Sequence, residues 1–188
     1  MHRPTRSAPA DTARIALRDL RPDEAGLLDT LMAGLSPRSR YLRFHTPTPA
    51  LSTRMRRALL DVDGHDRVAL VAETDAGTPV GIARAIRDHR HPDEAEIAVA
   101  VVDAWHRRGV GRRLLTALAE RARAGGVRRL TARVLPENAA ALGLVRDLFP
   151  VTVTRRDDDA LVLTAVLDTG RPDDWTITMD DILADLAA

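Results

Sequence analysis

The sequence predicts a mixed α+β domain built on a central, mostly antiparallel twisted sheet flanked by helices, and three observations carry that reading. Strand-like segments follow one another without an intervening helix at RVALVAE (67–73), VGIARAIRD (80–88) and EIAVAVV (96–102). The third runs into a glycine-rich turn and a long amphipathic stretch, Gly109 to Ala124, with another apolar strand behind it. A meander that leads into a β-α-β unit belongs to the mixed class, not to a doubly wound parallel sheet. The 188 residues, 45% of them hydrophobic, suffice for one domain with a sizeable core.

Residues 1–12 are rich in Pro, Ala and polar groups and are expected to form a disordered tail, with the domain spanning 13–167. ARIALRDL (13–20) alternates into a first strand. From Pro22, a helix sets Leu27, Leu28, Leu31 and Leu35 on one face, with acids in its first turn. LSPRSRYLRF (35–44) predicts a second helix, started by Ser36 and Pro37, and LSTRMRRALLDV a third, capped by Ser52 or Thr53. The strands at 67–73 and 80–88 form a hairpin across TDAGTP, and the loop HRHPDEA leads to the strand opened by Glu96.

The helix from Gly109 to Ala124 buries Val110, Leu114, Leu115, Leu118 and Ala122, and Ala-Gly-Gly at 124–126 stops it. RRLTARVL (128–135) is a buried strand, and Pro136 to Leu148 a short helix. VTVTRR and ALVLTAVL close a final hairpin around an Asp-rich turn. A C-terminal tail at 168–188 carries an amphipathic helix over 175–188, capped near Thr178, which either docks on the domain or supports a homodimer or partner contact.

Composition excludes several classes. A net charge of +1 demands neither nucleic acid nor a membrane as partner. Arginines cluster at 107–108, 112–113 and 128–129, but with 3% aromatic residues there is almost nothing for bases to stack on. No cysteine is present, which removes disulfides, thiolate metal sites and a cysteine acyl carrier, and suits a reducing cytoplasm. No apolar run approaches the roughly 18–20 residues that span a bilayer, and the first residues do not resemble a signal peptide, so a soluble cytoplasmic protein is expected. His89 and His91, with Asp88, Asp93 and Glu94, lack the fixed spacing of metal ligands and are read as a solvated loop. All the basic residues are arginine, which fits a coding bias or an enzyme that acts on lysines and avoids its own modification.

The stretch VVDAWHRRGVGRRLL (101–115) carries the chemistry. A strand end, a short connection and glycines opening a helix present free backbone N–H groups at the positive end of a helix dipole. Side chains at 109 or 111 would hold a phosphate off that backbone. Arg107, Arg108 and Arg112 add positive charge, so a pyrophosphate fits better than a single carboxylate. A Walker A loop fails, because no Lys-Ser/Thr follows the glycines. A dinucleotide fingerprint fails as well, because Leu114 stands where its third glycine belongs.

His106-Arg107-Arg108-Gly109-Val110-Gly111 resembles the acetyl-CoA turn of the GNAT N-acetyltransferases, Gln/Arg-x-x-Gly-x-Gly/Ala, with histidine at its first position. The family's later Asn at a helix start is matched by Asn138 in LPENAAAL. LSPRSRYLRF and AEIAVAVVDAWHRRGVG look like the acetyltransferase domain of bacterial protein-lysine acetyltransferases. The resemblance implies a GNAT-type acyl-CoA N-acyltransferase fold. Acetyl-CoA would be co-substrate, its pantetheine arm lying along Val99, Ala100 and Val101 and its pyrophosphate at Arg107, Arg108, Gly109, Val110, Gly111 and Arg112. Asn138 would meet the cofactor near its sulfur, or serve as an ordinary helix cap.

Acetyl transfer to an amine needs a base. Period two places Glu96 on the face of Ala98 and Ala100, whose small side chains leave room for a substrate. The subtype's glutamate in AE-(apolar)-A-x-V-V implies the same residue as base, with Glu94 and His91 as alternatives in the adjoining loop. Arg40 and Tyr41, with Phe44, are expected to shape the acceptor groove. The tyrosine that serves many family members as acid is replaced by Val145. The acceptor implied is a protein lysine. A small amine, a peptide N-terminus, or a non-catalytic acyl-CoA-binding module are the alternatives, and Val145 and His106 favour the last.

Overall fold

In the computed structural model, which describes residues 14–167, the chain opens with β1 (Ile15–Asp19), α1 (Ala25–Ala33), α2 (Pro37–Phe44) and α3 (Thr53–Leu60). The meander follows as β2 (Arg67–Thr74), β3 (Pro79–Arg87) and β4 (Glu94–Val101). A 3-10 turn (Asp103–Trp105) then leads to α4 (Val110–Ala124), β5 (Arg129–Val134), α5 (Ala139–Leu148), β6 (Val151–Asp157) and β7 (Ala160–Val166). The tails expected at 1–12 and 168–188, with the helix over 175–188, lie outside the described residues.

The strands form one sheet in the order β1-β2-β3-β4-β5-β7-β6. Every pairing is antiparallel except β4 with β5, which closes the β-α-β unit. That parallel pairing is short: Glu94, Ala95 and Glu96 match Arg129, Leu130 and Thr131, and there it ends. β4 continues alongside β3 as far as Val101, and β5 alongside β7 as far as Val134. The sheet therefore splits between two strands that are each secured on their other side.

Local chemistry sets the helices. Ser36 accepts the Ser39 N–H at 3.1 Å and Ser52 the Met55 N–H at 3.2 Å, each capping the helix that follows. α1 starts later than Pro22, at Ala25, and its first turn holds no acid. Glu24 is tied instead to Arg18 and to the Arg21 N–H. Leu28, Leu31 and Leu35 are buried as the spacing predicts, and Leu27 is partly buried. β4 begins two residues earlier than expected, so Glu96 is its third residue and not its first. α5 starts at Ala139, after Asn138, not at Pro136.

The predicted stripe of α4, Val110, Leu114, Leu115, Leu118 and Ala122, is buried with Ala119 and packs into the main core against β2, β3 and β4. A smaller cluster, Leu28, Met32, Leu35 and Leu51, fixes α1 over the opposite face near Ile82 and Ala100. The sheet thus has helices on both faces, and the split between β4 and β5 faces the N-terminus of α4.

Gly34 joins these layers. Its carbonyl accepts the Asp103 N–H at 3.1 Å, holding the end of α1 against the residue that follows β4. A Cβ at this position would lie 2.6 Å from Val102 Cγ1 and 2.9 Å from Val102 Cβ. Gly34→Ala is expected to lower unfolding free energy by about 1–3 kcal/mol, because Val102 cannot retreat from a packed core. Chemical denaturation of the two chains checks this, and an unchanged midpoint contradicts the close approach.

Candidate functional site

Beyond Glu96 the edge of β4 that faces β5 has lost its strand partner, and a cavity of about 870 Å³ opens there. β4 from Glu96 to Val101 forms one wall, and Ala132, Arg133 and Val134 of β5 with Asn138, Ala141, Leu144 and Val145 the other. Arg107, Gly109, Val110, Gly111 and Arg112 close one end, and α2 contributes Ser36, Ser39, Leu42 and Arg43. The volume lies within the range typical of small-molecule sites.

The turn at the cavity's end is shaped for an anion. Arg107 has φ +58° and Gly109 φ +77°, both in the left-handed region. Interleaved with right-handed residues, such a backbone turns successive N–H groups toward one point. Gly109 caps α4 without any side-chain hydrogen bond. From Arg107 to Arg112 no backbone N–H meets a partner among the described residues, leaving the first turn of the helix unsatisfied. Gly111 is needed for space: a Cβ there would stand 3.2 Å from Leu144 Cδ2 and 3.7 Å from Val101 Cγ2.

The arginines of the turn divide. Arg107 and Arg112 line the cavity, and Arg112 reaches Asp147 at 3.4 Å. Arg108 does not line it; its guanidinium stacks 5.2 Å from the centre of the Trp105 ring. His106 lines the cavity, and its Nε2 donates to the Val101 carbonyl at 2.8 Å, so it braces the turn against the end of β4. Asn138 lines the cavity while its Oδ1 accepts the Ala141 N–H at 3.2 Å, which makes it the cap of α5 and leaves its amide NH₂ for other work.

Glu96 is exposed on the cavity wall at the fork where β4 and β5 part, on the same face as Ala98 and Ala100. The two alternative bases do not reach the cavity. Glu94 bonds Arg129 Nε at 2.8 Å, and His91 faces Asp88 at 3.3 Å in the exposed loop. Among the described residues no group of three His, Cys, Asp or Glu side chains is placed to hold a metal.

Arg40 and Tyr41 line neither the large cavity nor the small apolar one behind Ala98 and Ala100. Arg40 instead donates to the Leu35 carbonyl at 2.9 Å and to the Pro49 carbonyl at 2.7 Å, pinning α2 to its flanking loop. The helical face that borders the site is Ser36, Ser39 and Arg43, at spacings of three and four, with His45 just beyond the helix. Sequence reasoning passed over Arg43 and His45. Burial and the neighbouring Arg84 push the Arg43 pKa down to about 10, with Glu96 pulling the other way. Burial likewise lowers the His45 pKa below that of a free imidazole, helped by the charges of Arg133 and Arg43 and opposed by Asp159 and Glu96. Arg43, His45 and Glu96 therefore share one electrostatic neighbourhood.

Residues 35–148 match the model of the acetyltransferase (GNAT) family. The chain is 34% identical over 154 residues to acetyltransferase Pat of Mycolicibacterium smegmatis, covering 78% of this chain and 44% of that protein. It thus spans less than half the length of this curated relative. The GNAT domain of S. lividans PAT superposes with a TM-score of 0.74 at 30% identity, over 86% of this chain and all of that domain (100%). A putative acetyltransferase from Salmonella typhimurium, solved with its cofactor acetyl-CoA, has the same fold at 21% identity, with a TM-score of 0.63 over 85% of this chain and 98% of that one. The split sheet, the uncapped α4 turn and these likenesses agree, and the chain belongs to the GNAT family of acetyltransferases.

Proposed function

We propose that this domain moves an acetyl group from acetyl-CoA to the ε-amine of a protein lysine by direct attack, with Glu96 as general base. The observation that carries the reading is the place of Glu96 at the fork of the split sheet, on the face of Ala98 and Ala100. The resemblance of LSPRSRYLRF and AEIAVAVVDAWHRRGVG to bacterial protein-lysine acetyltransferases supports a protein acceptor. On this reading the N–H groups of Arg107 to Arg112, with the Arg107 and Arg112 guanidiniums, hold the pyrophosphate. The free edge of Val99, Ala100 and Val101 receives the amide arm, and the Asn138 NH₂ lies near the sulfur.

The incoming amine arrives as an ammonium ion and cannot attack until it loses a proton. Glu96 accepts that proton, the nitrogen forms its bond to the acyl carbon, the carbon–sulfur bond breaks to release coenzyme A thiolate, and the amide nitrogen gives its second surplus proton to water, from which the thiolate is protonated. With no cysteine in the chain, no thiol relays the acyl group, so the acceptor attacks the thioester itself.

Two substitutions separate binding from chemistry. Glu96→Gln is expected to lower kcat by about 10²–10⁴-fold with acetyl-CoA affinity unchanged, read as thiol release with lysine peptides and as calorimetric binding. Retained turnover rejects Glu96 as base. Gly111→Val fills the gap beside Leu144 and crowds the phosphate site, so acetyl-CoA should bind at least about tenfold more weakly with a near-unchanged melting temperature. Unchanged affinity rejects the pyrophosphate assignment. The acceptor is read by mass spectrometry, and because the sequence holds no lysine, every ε-acetyl-lysine found comes from the acceptor.

A further inference from the structure

Arg43 is a cation without a counterpart. It lines the large cavity and also a second, apolar cavity of about 30 Å³ behind Ala98 and Ala100, enclosed by Leu28, Met32, Phe44 and Ile82 among others. Among the described residues its guanidinium meets no carboxylate and no carbonyl; its one partner is the ring of Phe44, 5.1 Å away. Arg84 adds a second guanidinium to the same small cavity, with the residue 6% exposed. Its Nη1 donates to the Ala58 carbonyl at 2.8 Å and its Nη2 to the Asp61 carbonyl at 3.3 Å, but its buried Nε has no partner. Two positive groups thus stand together against an apolar wall, each disfavoured by its removal from water.

The carboxylates that line the larger cavity are Glu96 and Asp103. Glu96 must stay open to the arriving ammonium, and Asp103 lies at the far end of α2 beside His106, 3.9 Å from its Nε2. Of the remaining arginines on the wall, Arg107 and Arg112 belong to the α4 turn, Arg133 already has Asp157 as ion-pair partner, and Arg38 is exposed, its charge solvated by water. The charge of Arg43 is therefore left for something that enters the cavity. Because Arg43 shares the neighbourhood of Glu96, that something comes with the acceptor and not with the phosphate end of the cofactor.

Resting on the lysine-acceptor reading above, we propose that Arg43 forms a carboxylate-binding subsite that selects lysines flanked by an acidic side chain. A guanidinium fork pairs with a carboxylate through two parallel hydrogen bonds, and such charge-assisted bonds are stronger than neutral ones. Arg84 reinforces the subsite by its charge from behind. The acidic neighbour of the lysine reaches Arg43 while the lysine amine reaches Glu96, so one residue fixes register and the other does chemistry.

The test uses the full chain loaded with coenzyme A and titrated calorimetrically with two ε-acetyl-lysine peptides that differ in one flanking residue, Glu or Gln. The Glu peptide is expected to bind about ten- to a hundredfold tighter. Arg43→Gln should bring the two affinities together by weakening the Glu peptide alone, with coenzyme A affinity unchanged as the mark of an intact fold. Should Arg43→Gln lose coenzyme A binding, Arg43→Lys replaces it: the charge stays, the fork is lost, and the preference should shrink without vanishing. Equal affinities in the wild-type chain overturn the subsite. A preference seen only between Nα-acetyl-lysine and its carboxamide overturns the flanking-residue assignment, since the carboxylate is then the amino acid's own. An Arg43-dependent preference for succinyl-CoA over acetyl-CoA overturns the acceptor side altogether. Binding is read apart from turnover, so a chain that prefers the Glu peptide yet acetylates nothing keeps the subsite and loses the catalytic reading.

Discussion

The site depends on one divergence of backbone, the parting of β4 from β5 after Glu96. A strand edge left without a partner inside a sheet is costly, because its N–H and C=O groups need hydrogen bonds. Here the gap is held open, not frayed. β4 is paired to β3 from Ala95 to Val101, and β5 to β7 from Arg129 to Val134, so neither strand can close the gap without giving up its other neighbour. An extended ligand with amide groups is the natural partner of such an edge. The same split brings the uncapped first turn of α4 to one end of the slot, so an amide-binding edge and an anion-binding turn arise from a single topological feature.

Charge is distributed along that slot in a consistent order. At one end Arg107 and Arg112 line the cavity beside the free N–H groups of the α4 turn. At the other, Glu96 supplies a negative charge among the small residues of β4, with Arg43 and His45 beside it on the cavity wall. His106 sits between chain segments and not in the charge pattern, since its ring nitrogen is occupied by the Val101 carbonyl at 2.8 Å. A histidine at the edge of the glycine motif is thereby explained as a brace: it fixes the turn to the strand whose edge the ligand uses.

The elements were legible wherever local chemistry decides them. Serine caps before α2 and α3, the buried stripe of α4 and the glycines of its turn all act within a few residues, and their signals survive into the fold. Glu96 was readable because period-two alternation fixes which face of a strand a residue joins. The acceptor side was not, and the reason is phase. α2 has eight residues, none of them a fully buried apolar side chain, so no apolar stripe marks which face turns inward. Arg40 and Tyr41 stand in a run of arginines, and that tertiary packing turns Ser36, Ser39 and Arg43 to the cavity is not written in that run. His45 escaped notice for a related cause. It takes a left-handed conformation at φ +57° as α2 ends, and only that turn of the backbone brings it to the cavity. Arg84 is a buried charge in the middle of a strand, a placement no pattern announces.

The missing tyrosine bears on how the reaction ends. Val145 lines the cavity and is buried at 5% exposure, so the position that could carry a phenol offers a hydrocarbon. Tyr41, the one tyrosine of the chain, does not line the slot. Of the side chains on the slot, His45 is shifted toward its neutral form by burial, and a neutral imidazole is a weak acid. The leaving group, though, is a thiolate, whose parent thiol ionises near pH 8.5 in the case of cysteine. Such an anion departs without being protonated in the same step, and an open slot lets water complete the exchange afterwards. Proton removal from the ammonium has no such escape, because an amine that keeps its proton has no electron pair to offer. Under the proposed mechanism the demand on this site is therefore for a base and not for an acid. A carboxylate at the fork with a valine at the acid's position meets that demand, and Val145 carries no weight against turnover.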